Sequence, residues 1–191
     1  MGLISLLSGC HVFSAIPVTV KEVKDYAIGR EQSFSYPIDK VLQAAVYNLR
    51  KMDFVVQRIE HFNIKGAVYA VWKDTSARVS LETITPRLTK VTCKVFTGNN
   101  AREYSSEDAL LDNVRETLER KTSWDWKELV KGMVSVHLSA DSRSSVIAYL
   151  SPGAKAELIK SEGEWGKIAL MDDCSGYMFL RHLRRASGNV F

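Results

Sequence analysis

Between Pro37 and Asp53 the apolar residues Ile38, Val41, Leu42, Ala45, Val46, Leu49 and Met52 recur at intervals of three and four, so they fall on one stripe of a helix. Pro37 stands where that helix begins and Asp39 lies in its first turn, where a carboxylate is favoured by the helix dipole. On either side the period drops to two. Gln32, Phe34 and Tyr36 alternate with polar partners as a half-buried strand does. Phe54 to Ile59 and Ala67 to Trp72 predict two more strands, with Asn63 and Gly66 as turn formers between them and Lys73-Asp74-Thr75-Ser76 as the next turn. Val79, Leu81 and Thr83 alternate along one strand; Pro86-Arg87 interrupts it, and Val91, Cys93 and Val95 alternate along the next. After Gly98-Asn99-Asn100 the helical period returns with Leu110, Leu111, Val114 and Leu118, and Ser105-Ser106-Glu107-Asp108 predicts a capping-box opening. The order β-α-β-β-β-β-α predicts an α+β domain over residues 30–120, an antiparallel sheet with two helices on one face.

The texture changes after Arg120. Residues 121–130, which include Trp124 and Trp126, are expected to form a linker whose tryptophans pack between domains. Beyond them come short apolar runs: Met133 to Leu138, Ser145 to Leu150, Ala156 to Lys160, Trp165 to Leu170 and Gly176 to Leu180. Ser151-Pro152-Gly153, Glu162-Gly163-Glu164 and Asp172-Asp173 punctuate them, which predicts an all-β small barrel over residues 131–186.

The opening residues carry a different signal. Leu7-Ser8-Gly9-Cys10 follows the apolar run Leu3-Ile4-Ser5-Leu6 and resembles the lipobox of bacterial lipoproteins, in which the cysteine thiol receives a diacylglyceryl group and the chain is cut before it. The run has no basic residue ahead of it, so residues 1–10 are taken as a truncated lipoprotein signal and residues 11–29 as a tether. The resemblance implies a lipid anchor at Cys10. His11 in place of an aspartate after the cysteine implies the outer membrane, facing the periplasm.

Composition narrows the chemistry. The apolar share of 46% with 25% charged residues belongs to a folded chain, and no apolar run is long enough to span a bilayer as a helix. A net charge of +4 lacks the concentrated basic stripe of a nucleic-acid binder, so no nucleic-acid partner is expected. The three cysteines form no CxxC pair and have no histidine at metal-ligand spacing, so no metal and no cofactor is expected. Cys93 is predicted to be a packed core thiol. His11, His61, His137 and His182 are scattered, and neither Cys93 nor Cys174 stands at a helix start beside a histidine as a cysteine peptidase would need. The nearest conceivable pair is Cys174 with His182, and no catalytic residue is assigned.

Two further resemblances organise the rest. The lipobox, the tether, the helix beginning Asp39-Lys40-Val41 and the strands "GAVYAVW" and "TKVTCKVF" are similar to a family of small uncharacterised Gram-negative lipoproteins, over residues 7 to 120. That family implies an envelope location and no activity; an unknown protein partner is expected for residues 30–120. The runs "SRSSVIAYLSPGAKAELI", "EGEWGKI" and "SGYMFLRHL", in that order, resemble a bacterial SH3 domain, with Trp165 and Tyr177 at its aromatic positions. That resemblance implies a shallow groove for peptidoglycan or a peptide. The candidate groove residues are Tyr149, Trp165 and Tyr177, with His137 and Asp141 at the rim. A competing reading of the same aromatics is that they fill a small core. The expected function is a non-catalytic envelope lipoprotein. The alternatives are a cytosolic protein–protein interaction module without an anchor, and an accessory or weak cell-wall hydrolase.

Overall fold

The pairing of Ile59 on one strand with Tyr149 on another joins the two halves of the chain into one sheet. A computed structural model describes residues 29–120, 124–171 and 174–183; Cys10 with its lipobox, the tether up to residue 28 and Asp172-Asp173 lie outside the described residues. Ten strands follow in the order β1-β5-β4-β3-β2-β7-β6-β10-β9-β8, and every pair is antiparallel. With three α-helices among the described residues, the architecture is α+β.

The first half matches the expected element order. Strand β1 (Arg30–Phe34) leads into helix α1 (Ile38–Lys51), followed by β2 (Val55–Phe62), β3 (Lys65–Trp72), β4 (Thr75–Thr85), β5 (Leu88–Phe96) and helix α2 (Tyr104–Glu119). Strands β2 to β5 form a meander with β1 beside β5, so α1 carries the chain from one side of this sheet to the other. Its buried stripe includes Ile38, Val41, Leu42, Ala45, Val46 and Leu49, and it packs with Leu110, Leu111, Val114 and Leu118 of α2 on the inward residues of the sheet. Asn48, buried mid-helix, donates from Nδ2 to the Ala44 carbonyl at 2.9 Å and to Thr117 Oγ1 at 3.0 Å, which ties α1 to α2.

Two local expectations are corrected. Gly66 lies within β3, not in the turn, and a Cβ there would stand 3.3 Å from the Glu60 carbonyl; the turn itself is carried by Asn63, at φ 55°. Glu107 does not close a capping box. It is 0% exposed, accepts from the Val95 N–H at 2.8 Å and is gripped by Arg102, while the α2 start has no side-chain cap.

In the second half, α3 (Trp126–Leu129) falls within the stretch read as a linker. Asp125 caps it by accepting from the Lys127 N–H at 2.9 Å, Leu129 is buried in the first core, and Trp124 and Trp126 pack against that core. The expected strands then appear as β6 (Val134–His137), β7 (Val146–Leu150), β8 (Leu158–Glu162), β9 (Trp165–Ala169) and β10 (Ser175–Phe179), followed by a 3₁₀ turn at Leu180–His182.

At the β2–β7 seam the protected face changes. Cross-strand partners point to the same side of a sheet. Ile59 and its partner Tyr149 face the helices, whereas Glu60 and its partner Ala148 face the other way. The second core, Val136, Ala148, Leu150, Ile168 and Met178, therefore lies on the face opposite the helices. β7 also covers what would otherwise be a free β2 edge, removing a template for unwanted strand pairing.

Candidate functional site

Strands β6, β10 and β9 lie side by side, and each alternates between the second core and the opposite face. Val136, Met178 and Ile168 point inward. Tyr177 pairs across strands with His137 on one side and Lys167 on the other, and Phe179 pairs with Trp165. These five side chains share the face that the helices cover farther along the sheet, but here the rings of Trp165, Tyr177 and Phe179 stay partly exposed.

Crowding beneath enforces this outward placement. A Cβ at Gly176 would come within 2.6 Å of Val136 Cγ1, and one at Gly166 within 2.8 Å of Leu183 Cδ1. With the inner positions beside the aromatics reduced to glycine, the inner face has no room for a ring. None of Trp165, Tyr177 and Phe179 belongs to the cluster that makes the second core.

The rings form a continuous surface. Trp165 and Phe179 stack with centroids 4.0 Å apart and planes at 27°, and His137 meets Trp165 edge-on at 5.7 Å. The Arg181 guanidinium lies 4.4 Å from the Phe179 centroid, and Lys167 Nζ lies 5.9 Å from that of Tyr177, so cations flank the aromatic surface. His137 is 8% exposed and doubly held. A carbonyl can only accept, so its Nδ1 donates to the Ser144 carbonyl at 3.1 Å; in the neutral ring Nε2 then accepts from Ser135 Oγ at 3.0 Å. The imidazole is thereby fixed as an edge for Trp165 to lean on.

Of the five residues expected to form the groove, the structure brings together His137, Trp165 and Tyr177. Asp141 is in an exposed turn, where its carboxylate accepts from the Arg143 N–H at 2.9 Å. Tyr149 shares the face but lies at the seam, edge-on to Trp126 at 5.8 Å and packed on the first core. Sequence reasoning missed Phe179 and Lys167, although the signal for both was available, since Phe179 is two residues from Tyr177 and Lys167 two from Trp165 on strands of period two.

Cys93 is 0% exposed, and burial pushes its thiol pKa well up, with the Glu107 carboxylate adding in the same direction. Cys174 lies with Phe62, Ile64 and Met171 around a small cavity, while His182 follows β10 with its ring beside Arg181. Both thiols are free. Among the described residues no cluster of three or more His, Cys, Asp or Glu could hold a metal ion, and no helix is long and apolar enough to cross a membrane. A cavity of about 390 Å³ lies on the open face of β3, β4 and β5, lined by both cations and carboxylates, among them Arg78, Lys90, Glu31 and Glu82.

No protein-family model matches the chain, and no curated protein matches its sequence significantly.

Proposed function

We propose that the protein is a non-catalytic envelope lipoprotein that holds peptidoglycan, through its peptide stems, on the face formed by Trp165, Phe179, Tyr177 and His137. The observation that carries this reading is that three large rings stand partly exposed on one face, off the second core, because the inner positions beside them are too crowded to take them. Ring faces provide contact area at low entropic cost, and Lys167 and Arg181 at the margin suit the carboxylates of a peptide stem.

An SH3-like small barrel over residues 131–186 belongs to this proposal. Its support is the succession of five short strands and a closing 3₁₀ turn, with β8, β9 and β10 as consecutive antiparallel neighbours. In the same reading Cys10 carries the lipid anchor, the protein faces the periplasm from the outer membrane, and residues 30–120 act as an adaptor for a protein partner. Several acyl chains on one cysteine would be sufficient for stable attachment.

The test is co-sedimentation of the full chain with purified peptidoglycan sacculi. Saturable pelleting is expected, weakened roughly tenfold by Trp165→Ala and much less by Trp165→Phe. Equal pelleting of all three forms, or none, removes the reading. Separately, Cys10→Ala is expected to release the protein to the soluble fraction of the envelope; retention at the membrane would remove the anchor.

A further inference from the structure

A second site lies on the seam, distinct from the aromatic face. Four elements meet there: α1 contributes Asp39, Leu42 and Gln43, β2 contributes Ile59 and His61, α3 contributes Trp126, and β7 contributes Val146 to Tyr149. They enclose a cleft of about 310 Å³. That is near the lower end of the range for small-molecule pockets, and junctions between structural units are where such pockets concentrate.

Leu42 and Ile59 are buried and apolar, the β7 chain at Ile147 and Ala148 runs along one wall, and the T-shaped pair Trp126 and Tyr149 supplies aromatic surface. Asp39 adds to the lining a carboxylate whose side chain is 67% exposed, with His61 Nδ1 3.2 Å from its Oδ1. Among the described residues that line the cleft there is no lysine and no arginine. A carboxylate whose partner is a histidine rather than a lysine or arginine, in one cleft with two ring surfaces, is attractive to a cation on a short apolar stem. An anionic head would meet Asp39 with no fixed cation to offset it.

We propose that this cleft binds a primary ammonium group carried on a short aliphatic chain, of the kind a lysine-type side chain presents. The stem rests on the apolar floor of Leu42 and Ile59, and the ammonium group sits between the Asp39 carboxylate and the rings of Trp126 and Tyr149. His61 holds Asp39 in place from the β2 side. This site stands whether or not the aromatic face binds the cell wall.

The test uses the full chain labelled with ¹⁵N and titrated separately with n-butylammonium chloride, n-butanol and sodium butyrate. The amine is expected to produce saturable shifts at the Gln43, His61 and Tyr149 amides and at the Trp126 indole N–H, leaving the Trp165 indole unmoved. Asp39→Asn should weaken the amine about fivefold while leaving the spectrum of β9 and β10 in place. Trp126→Phe should weaken it less, because an aromatic face is retained. Butanol binding as well as the amine, butyrate binding better, an unchanged affinity in Asp39→Asn, or no saturable shift with the amine would each overturn the proposal.

Discussion

The backbone N–H of Met171 donates a 3.0 Å hydrogen bond to Oε2 of Glu60, so a turn near the end of the chain is fastened to the strand that starts the first meander. The other oxygen of Glu60 lies 2.9 Å from Arg58 Nε, and the Arg58 guanidinium stands 4.1 Å from the Tyr69 ring centroid. A carboxylate with a side-chain exposure of 2% is costly to desolvate, and here it answers an arginine and a backbone donor at once. Glu60 thus acts as a rivet between the two halves.

Glu60→Ala removes both links and strands Arg58 beside an unanswered N–H. We expect a loss of about 3 kcal/mol in urea unfolding followed by tryptophan fluorescence. Glu60→Gln keeps an acceptor for Met171 and should lose roughly 1 to 2 kcal/mol. Losses under about 0.5 kcal/mol in both variants would mean that the rivet contributes nothing beyond the strand pairing around it.

A second buried pair sits at the far side of the first core. Glu107 and Arg102 have side-chain exposures of 0% and 1%, with Arg102 Nη2 2.5 Å from Glu107 Oε2. Glu107→Ala would leave a buried guanidinium and the Val95 N–H without their acceptor. The expected cost is about 3 to 5 kcal/mol, larger than that of Glu60→Ala. A midpoint unchanged from the wild type would contradict this account of the α2 start.

These two carboxylates mark the boundary of what periodicity could reveal. Helix α1 was legible because Ile38, Val41, Leu42, Ala45, Val46 and Leu49 keep one period along it, and β4 and β5 because Val79, Leu81, Val91, Cys93 and Val95 alternate without interruption. Glu60 and Glu107 read as solvent-facing by residue type, and only partners distant in space make their burial tolerable. The same limit applies to the seam. Alternation says which side of a strand is buried but not which strand lies beside it, so the pairing of β2 with β7 was invisible. Tyr149 was grouped with Trp165 and Tyr177 on aromatic character and does share their face. What separates it is α3, a single helical turn that brings Trp126 over the seam, from a stretch whose sequence reads as linker.

Cys93 provides a pH-dependent prediction. Its pKa in the fold is raised, so the native state favours the neutral thiol more than the unfolded chain does. A raised value means that the contribution to stability is fully present below the thiol's unfolded pKa, about 8.5, and is lost as pH climbs above it. Unfolding midpoints should therefore fall from pH 8 to pH 10 more in the wild type than in Cys93→Ala, after subtraction of the variant's constant offset. Iodoacetamide at pH 8 should label half-buried Cys174 well before Cys93, as read by peptide mass spectrometry. Early labelling of Cys93 would contradict its burial.

The last prediction separates a binding surface from a core. Ile168 and Trp165 are on the same strand three residues apart, yet Ile168 is 0% exposed in the second core while Trp165 faces outward onto Phe179. If large aromatic area alone held β6, β9 and β10 together, truncating the tryptophan would cost at least as much as truncating the isoleucine. The geometry implies the reverse. Ile168→Ala opens a cavity among Val136, Leu150 and Met178 and should cost about 3 to 4 kcal/mol. Trp165→Ala forfeits the stack on Phe179, the edge contact with His137 and some partly exposed area, about 1 to 2 kcal/mol. Gly176→Ala, which adds one methyl 2.6 Å from Val136 Cγ1, should also cost about 2 kcal/mol despite enlarging the apolar surface. Urea denaturation of the three variants gives the order directly. A tryptophan cost equal to that of isoleucine would return Trp165 to a structural role and remove the main reason for reading its face as a site of attachment.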